Sequence, residues 1–199
     1  MCIRDSFAVE GTAPGLTRRA LPTLDQTRKQ AVLRFDAVQA RLVGEDGSGW
    51  AAVEETLRRA AVALSAEQVG AAQRALDMAV EHAKVRTQFG RPIGSFQAIK
   101  NLCSEMLLEV ESARAAALYA MWAADSSPAE LPQAASLAQA FCTDALNSVA
   151  ASCIQVHGGI GFTWEHPAHL YFKRASSSSF LLGDADHHRA MFADRVLPA

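Results

Sequence analysis

Four cysteines among 199 residues, none in a Cys-x-x-Cys pair, are too few and too scattered for a disulfide framework or a zinc ligand set. Cys103, Cys142 and Cys153 lie in Ala-rich stretches of helical periodicity, where a free thiol behaves as a small apolar side chain, and Cys2 stands near the start. No apolar run approaches the roughly 20 residues that a bilayer-spanning helix needs, and the first residues have no signal-peptide core. Both absences predict a soluble, cytoplasmic protein. Basic excess is missing as well: 19 Lys and Arg against 21 Asp and Glu give a net charge of −2. A phosphate backbone would find no complementary surface, so nucleic acid is excluded as a partner. Charge is also too sparse, at 20% of residues, for an intrinsically disordered chain.

What is present favours helix. Half of the residues are hydrophobic, enough to fill a core, and Ala is frequent throughout. The length suits one domain plus a fragment of another. The expected class is mainly α: an antiparallel helical bundle preceded by a small β-strand remnant.

The chain changes character near residue 46. The opening Met1 to Ser6 does not continue the pattern that follows and reads as a non-native leader. Residues 7–45 carry strand signals, namely Phe7-Ala8-Val9-Glu10, a turn from Gly11 to Gly15, and the run from Ala31 to Val38 in which Arg34 and Asp36 alternate with apolar neighbours. Two or three strands make no stable sheet alone, so this segment reads as the end of a larger β domain. Residues 46–199 read as the bundle. Apolar positions predict a helix from about Trp50 to Val85 and a second from Ser95 to Ala124, whose Phe96, Ile99, Cys103, Met106, Val110, Ala113 and Ala117 step by three and four. Ser127-Pro128-Ala129-Glu130 has the form of a capping box, with Pro132 able to move the start inward, and a third helix runs to Gly158-Gly159. Shorter helical segments follow around His166–Leu182 and Asp184–Val196.

Two segments exceed what a helix connection requires. In Val85 to Gln97, Gly90, Pro92 and Gly94 set a tight reversal, Arg86 and Arg91 offer forked donors for phosphate, and Ser95 and Gln97 stand at a helix N-terminus. Solvated arginines on a plain hairpin would account for the same residues. In Gln155-Val156-His157-Gly158-Gly159-Ile160-Gly161-Phe162, three glycines follow a helix end, which suits either a helix cap or a loop wrapped closely around a ligand.

Together these two strings resemble the signature motifs of the acyl-CoA dehydrogenases, and the resemblance covers essentially residues 7–199: the end of that family's middle β domain and its C-terminal helical domain. It implies a fragment of an enzyme that oxidises the Cα–Cβ bond of an acyl-CoA thioester to a trans-enoyl-CoA. In the family a carboxylate removes the α proton, hydride passes from Cβ to FAD, and electrons leave through an electron-transfer flavoprotein. Carried over by position, Arg86 matches the arginine on the FAD pyrophosphate and Gln97 a glutamine on the ADP moiety. Gln155, Val156, His157, Gly158 and Gly159 match the loop at the adenosine end. Family oligomers, homo- or hetero-oligomeric and typically dimers of dimers, direct these groups to a neighbouring subunit's FAD. A related acyl-CoA oxidase or flavin monooxygenase is a further reading of the same bundle.

The resemblance fails at the base. Counted from Lys173-Arg174, the family's usual Glu falls at Gly183, and the alternative base of some branched-chain members falls at Ala60. Neither side chain accepts a proton. Asp184, beside the lost position, and Glu67, two helical turns after Ala60, are the candidate substitutes, although Asp184 also suits an N-cap and Glu67 a solvated face. A non-catalytic partner subunit, which clamps a neighbour's FAD and lacks its own base, is the competing reading. No metal site is expected, and His187-His188 read as surface groups because adjacent helical residues diverge by about 100°.

Overall fold

The computed structural model describes residues 5–197. Met1 to Arg4 of the expected leader, with Cys2, lie outside them. Asp5 and Ser6 lie inside: Ser6 starts a strand and the Asp5 carboxylate accepts a hydrogen bond from the Gly47 amide at 2.5 Å.

Two compact units divide after Leu57. In the first, β1 (Ser6–Ala8) pairs antiparallel with β4 (Arg41–Val43), and β2 (Leu16–Leu21) pairs antiparallel with β3 (Gln30–Phe35), in register from Leu16 opposite Phe35 to Leu21 opposite Gln30. Asp25 fixes the turn between β2 and β3: its Oδ1 accepts from the Thr27 amide at 2.9 Å and the Thr27 hydroxyl at 2.5 Å, an Asx turn. The sequence pattern located β1 and β3 but not β2 or β4. Leu16-Thr17-Arg18-Arg19-Ala20-Leu21 is exposed along its middle and carries no alternation to read.

The second unit is helical. α1 (Gly49–Val85) begins in the first unit and runs into the second. It is followed by a short hairpin of β5 (Thr87–Gln88) and β6 (Arg91–Pro92), α2 (Gln97–Ser126), α3 (Leu131–His157), α4 (Ala168–Ser178) and α5 (Ala185–Val196). α2 buries Met106, Val110, Ala113, Ala117, Ala120 and Ala123, the three-and-four stepping of a helix packed against nearly antiparallel neighbours. α3 is the central element. It packs on α2, α4 and α5, and Ala134, Ala138, Ala145, Val149, Ala150 and Cys153 are fully buried. Small residues on these faces permit close helix approach. One polar layer interrupts the core between α1 and α3: the Ser65 hydroxyl donates to Gln139 Oε1, and the Gln68 and Gln139 amides both donate to Thr143 Oγ1, at 3.0 and 3.3 Å.

Helix boundaries correct the sequence reading in one place. The Ser127–Glu130 box does not cap α3. Ser127 Oγ donates to the Glu130 carboxylate instead of a backbone amide, Glu130 is itself the N-cap residue, and Pro132 is accommodated in the first turn. Cys103, Cys142 and Cys153 are free thiols, and burial pushes Cys142 and Cys153 up to about 12. Among the described residues no helix is long and apolar enough to cross a membrane, and no cluster of His, Cys, Asp and Glu could hold a metal.

Candidate functional site

The two motif segments are linked through one ring contact, between His157 at the end of α3 and His82 on the last turn of α1. α1 ends at Val85 because the chain turns into the β5–β6 hairpin, with Phe89 and Gly90 both at positive φ, 52° and 77°. The Ile93 amide donates back to the Arg86 carbonyl at 2.8 Å, which closes the loop beneath Arg86. Arg91 is engaged differently from Arg86: its guanidinium lies 4.2 Å over the Phe96 ring. Arg86 is exposed, and its guanidinium makes no hydrogen bond to the described residues, so its donors face outward. Gln97 is the first residue of α2, and its amide donates to Asn101 Oδ1 at 2.9 Å. No side chain caps α2, so its first backbone amides remain available to an anion.

α3 ends at His157 because Gly158 takes φ +62° and ψ −140°, a backbone that side-chain-bearing residues rarely adopt, and a 3₁₀ turn continues to Phe162. Gln155, Gly158 and Gly159 are exposed, while Val156 and His157 are buried. A Cβ at Gly158 or Gly159 would meet nothing within 4 Å, so the loop presents bare backbone to open space.

The join between these segments is made of histidines. The His157 ring lies 4.5 Å from the His82 ring on α1, one turn before Arg86, and 4.2 Å from the His166 ring in the loop before α4. His157 Nδ1 lies 2.7 Å from the Cys153 carbonyl, which can only accept, so Nδ1 carries the proton. Nε2 is buried with no hydrogen-bond partner. The stack continues outward: His169 meets Trp164 edge-on at 4.6 Å, and the Lys173 ammonium lies 4.1 Å over the Trp164 ring. Burial, then the neighbouring imidazoles His157 and His166 and the Arg86 charge, hold His82 below its ordinary pKa. Burial and the nearby His157 and His169 do the same for His166. The sequence reading missed His82 and His166. Their separation along the chain from His157 leaves no spacing to recognise, and only packing brings them together.

The base positions lie elsewhere in the bundle. Ala60 is half-buried on α1. Gly183 takes φ +104°, and a Cβ there would sit 2.5 Å from the His187 ring, so a side chain at this position would strain the backbone and displace the His187 imidazole. Asp184 is the N-cap of α5, its Oδ1 accepting from the His187 amide at 2.8 Å. Glu67 is bridged to Arg174 of α4 at 2.5 Å. His187 is exposed as expected, but His188 corrects the surface reading. It is buried, its Nε2 lies 3.1 Å from the Leu182 carbonyl, and burial lowers its pKa. His188 thereby ties α5 to the Leu182–Gly183 turn. A groove of about 460 Å³ lined by residues of α1 and α2 that include Gln73, Asp77, Glu81, Lys84, Cys103 and Leu107 contains none of the motif residues.

Residues 47–197 match the C-terminal domain of the acyl-CoA dehydrogenases. The chain belongs to the acyl-CoA dehydrogenase family, whose members are FAD-dependent oxidoreductases. It is 42% identical over 182 residues to acyl-CoA dehydrogenase IpdE2 of Mycobacterium tuberculosis, a match covering 88% of this chain and 52% of that protein. Among solved structures, the Tcur3481–Tcur3483 steroid ACAD G363A variant is similar at a TM-score of 0.85 and 33% identity, over 96% of this chain and 51% of that one. The ChsE4–ChsE5 complex of Mycobacterium tuberculosis is similar at a TM-score of 0.87 and 28% identity, over 98% and 53%. The chain thus spans about half the length of the IpdE2 relative it matches.

Proposed function

We propose that this chain is the C-terminal part of a flavin-dependent acyl-CoA dehydrogenase, desaturating an acyl-CoA thioester between Cα and Cβ, and that it supplies the grip on the ADP end of FAD held by a neighbouring protomer. The observation that carries this reading is the convergence of the Arg86 hairpin and the Gln155–Gly159 loop on one end of the bundle, joined by the His82–His157 contact at 4.5 Å. The donor set fits a dinucleotide: the outward guanidinium of Arg86 suits a pyrophosphate, Gln97 offers an amide beside uncapped helix amides, and Gly158 and Gly159 let backbone approach adenosine without a side chain between. When bound, FAD accepts hydride from the substrate Cβ. This chain's residues bind and orient, and an electron-transfer flavoprotein is the expected electron acceptor from the assembly.

In the full-length protein, Arg86→Ala should weaken FAD binding by about 10- to 100-fold, the loss of roughly 1.5–3 kcal/mol for a hydrogen bond to a charged group, read by equilibrium flavin fluorescence. Unchanged affinity would overturn the assignment.

A second reading has its own support: the chain is the non-catalytic partner in a hetero-oligomer. Gly183 aligns with the position of the family's base, in a backbone that strains any side chain, Asp184 is engaged as a cap, and Glu67 is engaged with Arg174. The similarity to ChsE4–ChsE5, a complex of two differently named chains, is consistent with such an assembly. Asp184→Asn and Glu67→Gln, made separately in the full-length assembly, distinguish the readings. Linear acyl-CoA and steroid-bearing acyl-CoA substrates serve as the two assay arms. Turnover unchanged in both variants favours the partner role, and a loss of about 100-fold or more in either assigns the base to this chain.

A further inference from the structure

The three-imidazole stack, whose central ring belongs to the Gln155–Gly159 loop, is the physical link between the two halves of the proposed grip. His82 lies on the last turn of α1, four residues before Arg86, and its backbone carbonyl accepts the Arg86 amide at 2.9 Å. His157 is the last residue of α3, adjacent to Gly158, and its ring lies between His82 and His166, at 4.5 and 4.2 Å with interplanar angles of 30° and 40°. We propose that His82, His157 and His166 form a pH-sensitive brace that positions the Arg86 hairpin against the Gly158–Gly159 loop, closed while the outer rings are neutral and loosened when they take up protons. The inference rests on the proposed role of these two segments in dinucleotide binding.

The surroundings of the stack set the sign. From α1 it is faced by Arg86, a cation. From α3 it is faced by the Cys153 carbonyl and, 3.6 Å from His157 Nδ1, the uncharged Cys153 thiol, which α2 approaches through Cys103. From the α4 side it is faced by His169, itself near Lys173. Among the described residues the charged or titratable groups that shift His82 and His166 are imidazoles and Arg86, and each of them disfavours a proton on these rings. His82 and His166 both stay neutral to lower pH than a free imidazole, for burial and for these like charges. His166 has a second reason to remain neutral: its Nδ1 accepts from the Ala168 amide at 3.2 Å, a bond that requires an unprotonated nitrogen. Stability from the closed stack is therefore complete above the ordinary histidine range and is lost as pH falls through and below it. A charge on His82 would also attract an anion held by Arg86. Arg86, however, is four residues further along the chain and exposed, while the imidazole rings are in contact at 4.5 and 4.2 Å, so the repulsion dominates.

The test uses the full-length assembly loaded with FAD, and measures affinity by flavin fluorescence from pH 8 to 5. It compares wild type with His82→Phe/His166→Phe, which keeps three stacked rings and removes the titration. Wild-type affinity should fall about tenfold between pH 7.5 and 5.5, while the double variant should change by no more than about threefold. Equal pH slopes in the two proteins, or tighter wild-type binding on acidification, would overturn the brace. Hydrogen–deuterium exchange on the FAD-free assembly, corrected for intrinsic rates, gives a readout independent of cofactor and needs no variant. Segments 84–92 and 156–165 should lose protection together below pH 6, and protection that is flat with pH refutes the proposal. Arg86→Ala separates the binding role from the brace. Unchanged FAD affinity in that variant defeats the binding role itself, whereas weakened affinity with equal slopes in wild type and the double histidine variant defeats only the brace.

Discussion

At Gly183 the proposed absence of a base meets a backbone that disfavours any side chain. With φ at +104° and a Cβ 2.5 Å from the His187 ring, the position proposed to align with the family's base accepts a side chain only with a strained backbone and a displaced His187 imidazole. Gly183→Glu should consequently destabilise the protein by about 1–3 kcal/mol and add no turnover. Urea unfolding followed by circular dichroism measures the first effect and an acyl-CoA assay the second. A variant of wild-type stability that gains activity would mean the loop still forms a competent base site. Asp184 was readable as a cap from its place before a helical stretch, because an N-cap is a local device. His188 was not readable. An imidazole beside another on a polar helix carries no local mark of burial, and only the carbonyl of Leu182, brought back by the turn, explains why it lies inside. Glu67 was equally opaque, since its Arg174 partner lies on another helix, 107 residues away in the chain.

Helices were legible for the opposite reason. The stripes of Ala, Val and Met on α1 to α3 are the packing surfaces themselves, so periodicity and burial coincide: Met106, Val110, Ala113 and Ala117 belong to the stripe read from the sequence and all lie in the core. β2 and β4 were illegible because their middle residues are exposed on both faces and leave no alternation. The element that sequence periodicity hides best is the polar layer between α1 and α3. Ser65, Gln68, Gln139 and Thr143 occupy core positions of apolar stripes, and their meaning appears only when the two helices are side by side. Thr143 Oγ1 accepts from two amides, so Thr143→Val would leave both donors buried and unpaired. The expected cost is about 1–3 kcal/mol, whereas Gln139→Glu would keep the Gln68 bond to Thr143 but place a carboxylate in the buried layer and cost more. Thermal unfolding of the two variants ranks them, and a Thr143→Val protein as stable as wild type would mean that water takes over the lost acceptor.

Across the helical unit, four histidines share one electrostatic bias. Burial is the first cause in each case: it holds His82, His166, His169 and His188 below the ordinary imidazole value, against a weaker pull from the Leu182 carbonyl at His188. A group whose folded pKa is depressed binds fewer protons in the native than in the unfolded chain over the window between the two values. Stability from these groups is therefore fully present above about pH 6.5 and declines as pH falls below it. Melting temperature should drop by a few degrees or more between pH 7 and pH 5.5, a span in which carboxylates with ordinary pKa values change little. His188→Gln tests the origin. A glutamine amide can still donate to the Leu182 carbonyl but cannot titrate, so the variant should keep most of its neutral-pH stability and lose part of the acid sensitivity. Of the remainder, the share of His82 and His166 belongs to the His157 stack, where His82→Phe/His166→Phe should remove it and leave only that of His169. The two losses should add, since additivity holds for sites that share no partners, and the stack and the α5 turn have none in common among the hydrogen bonds and ring contacts described. Non-additive melting shifts in the combined variant would show that the histidine stack and the turn at Gly183 are coupled, and that acid acts on the helical unit as a whole instead of at two separate joints.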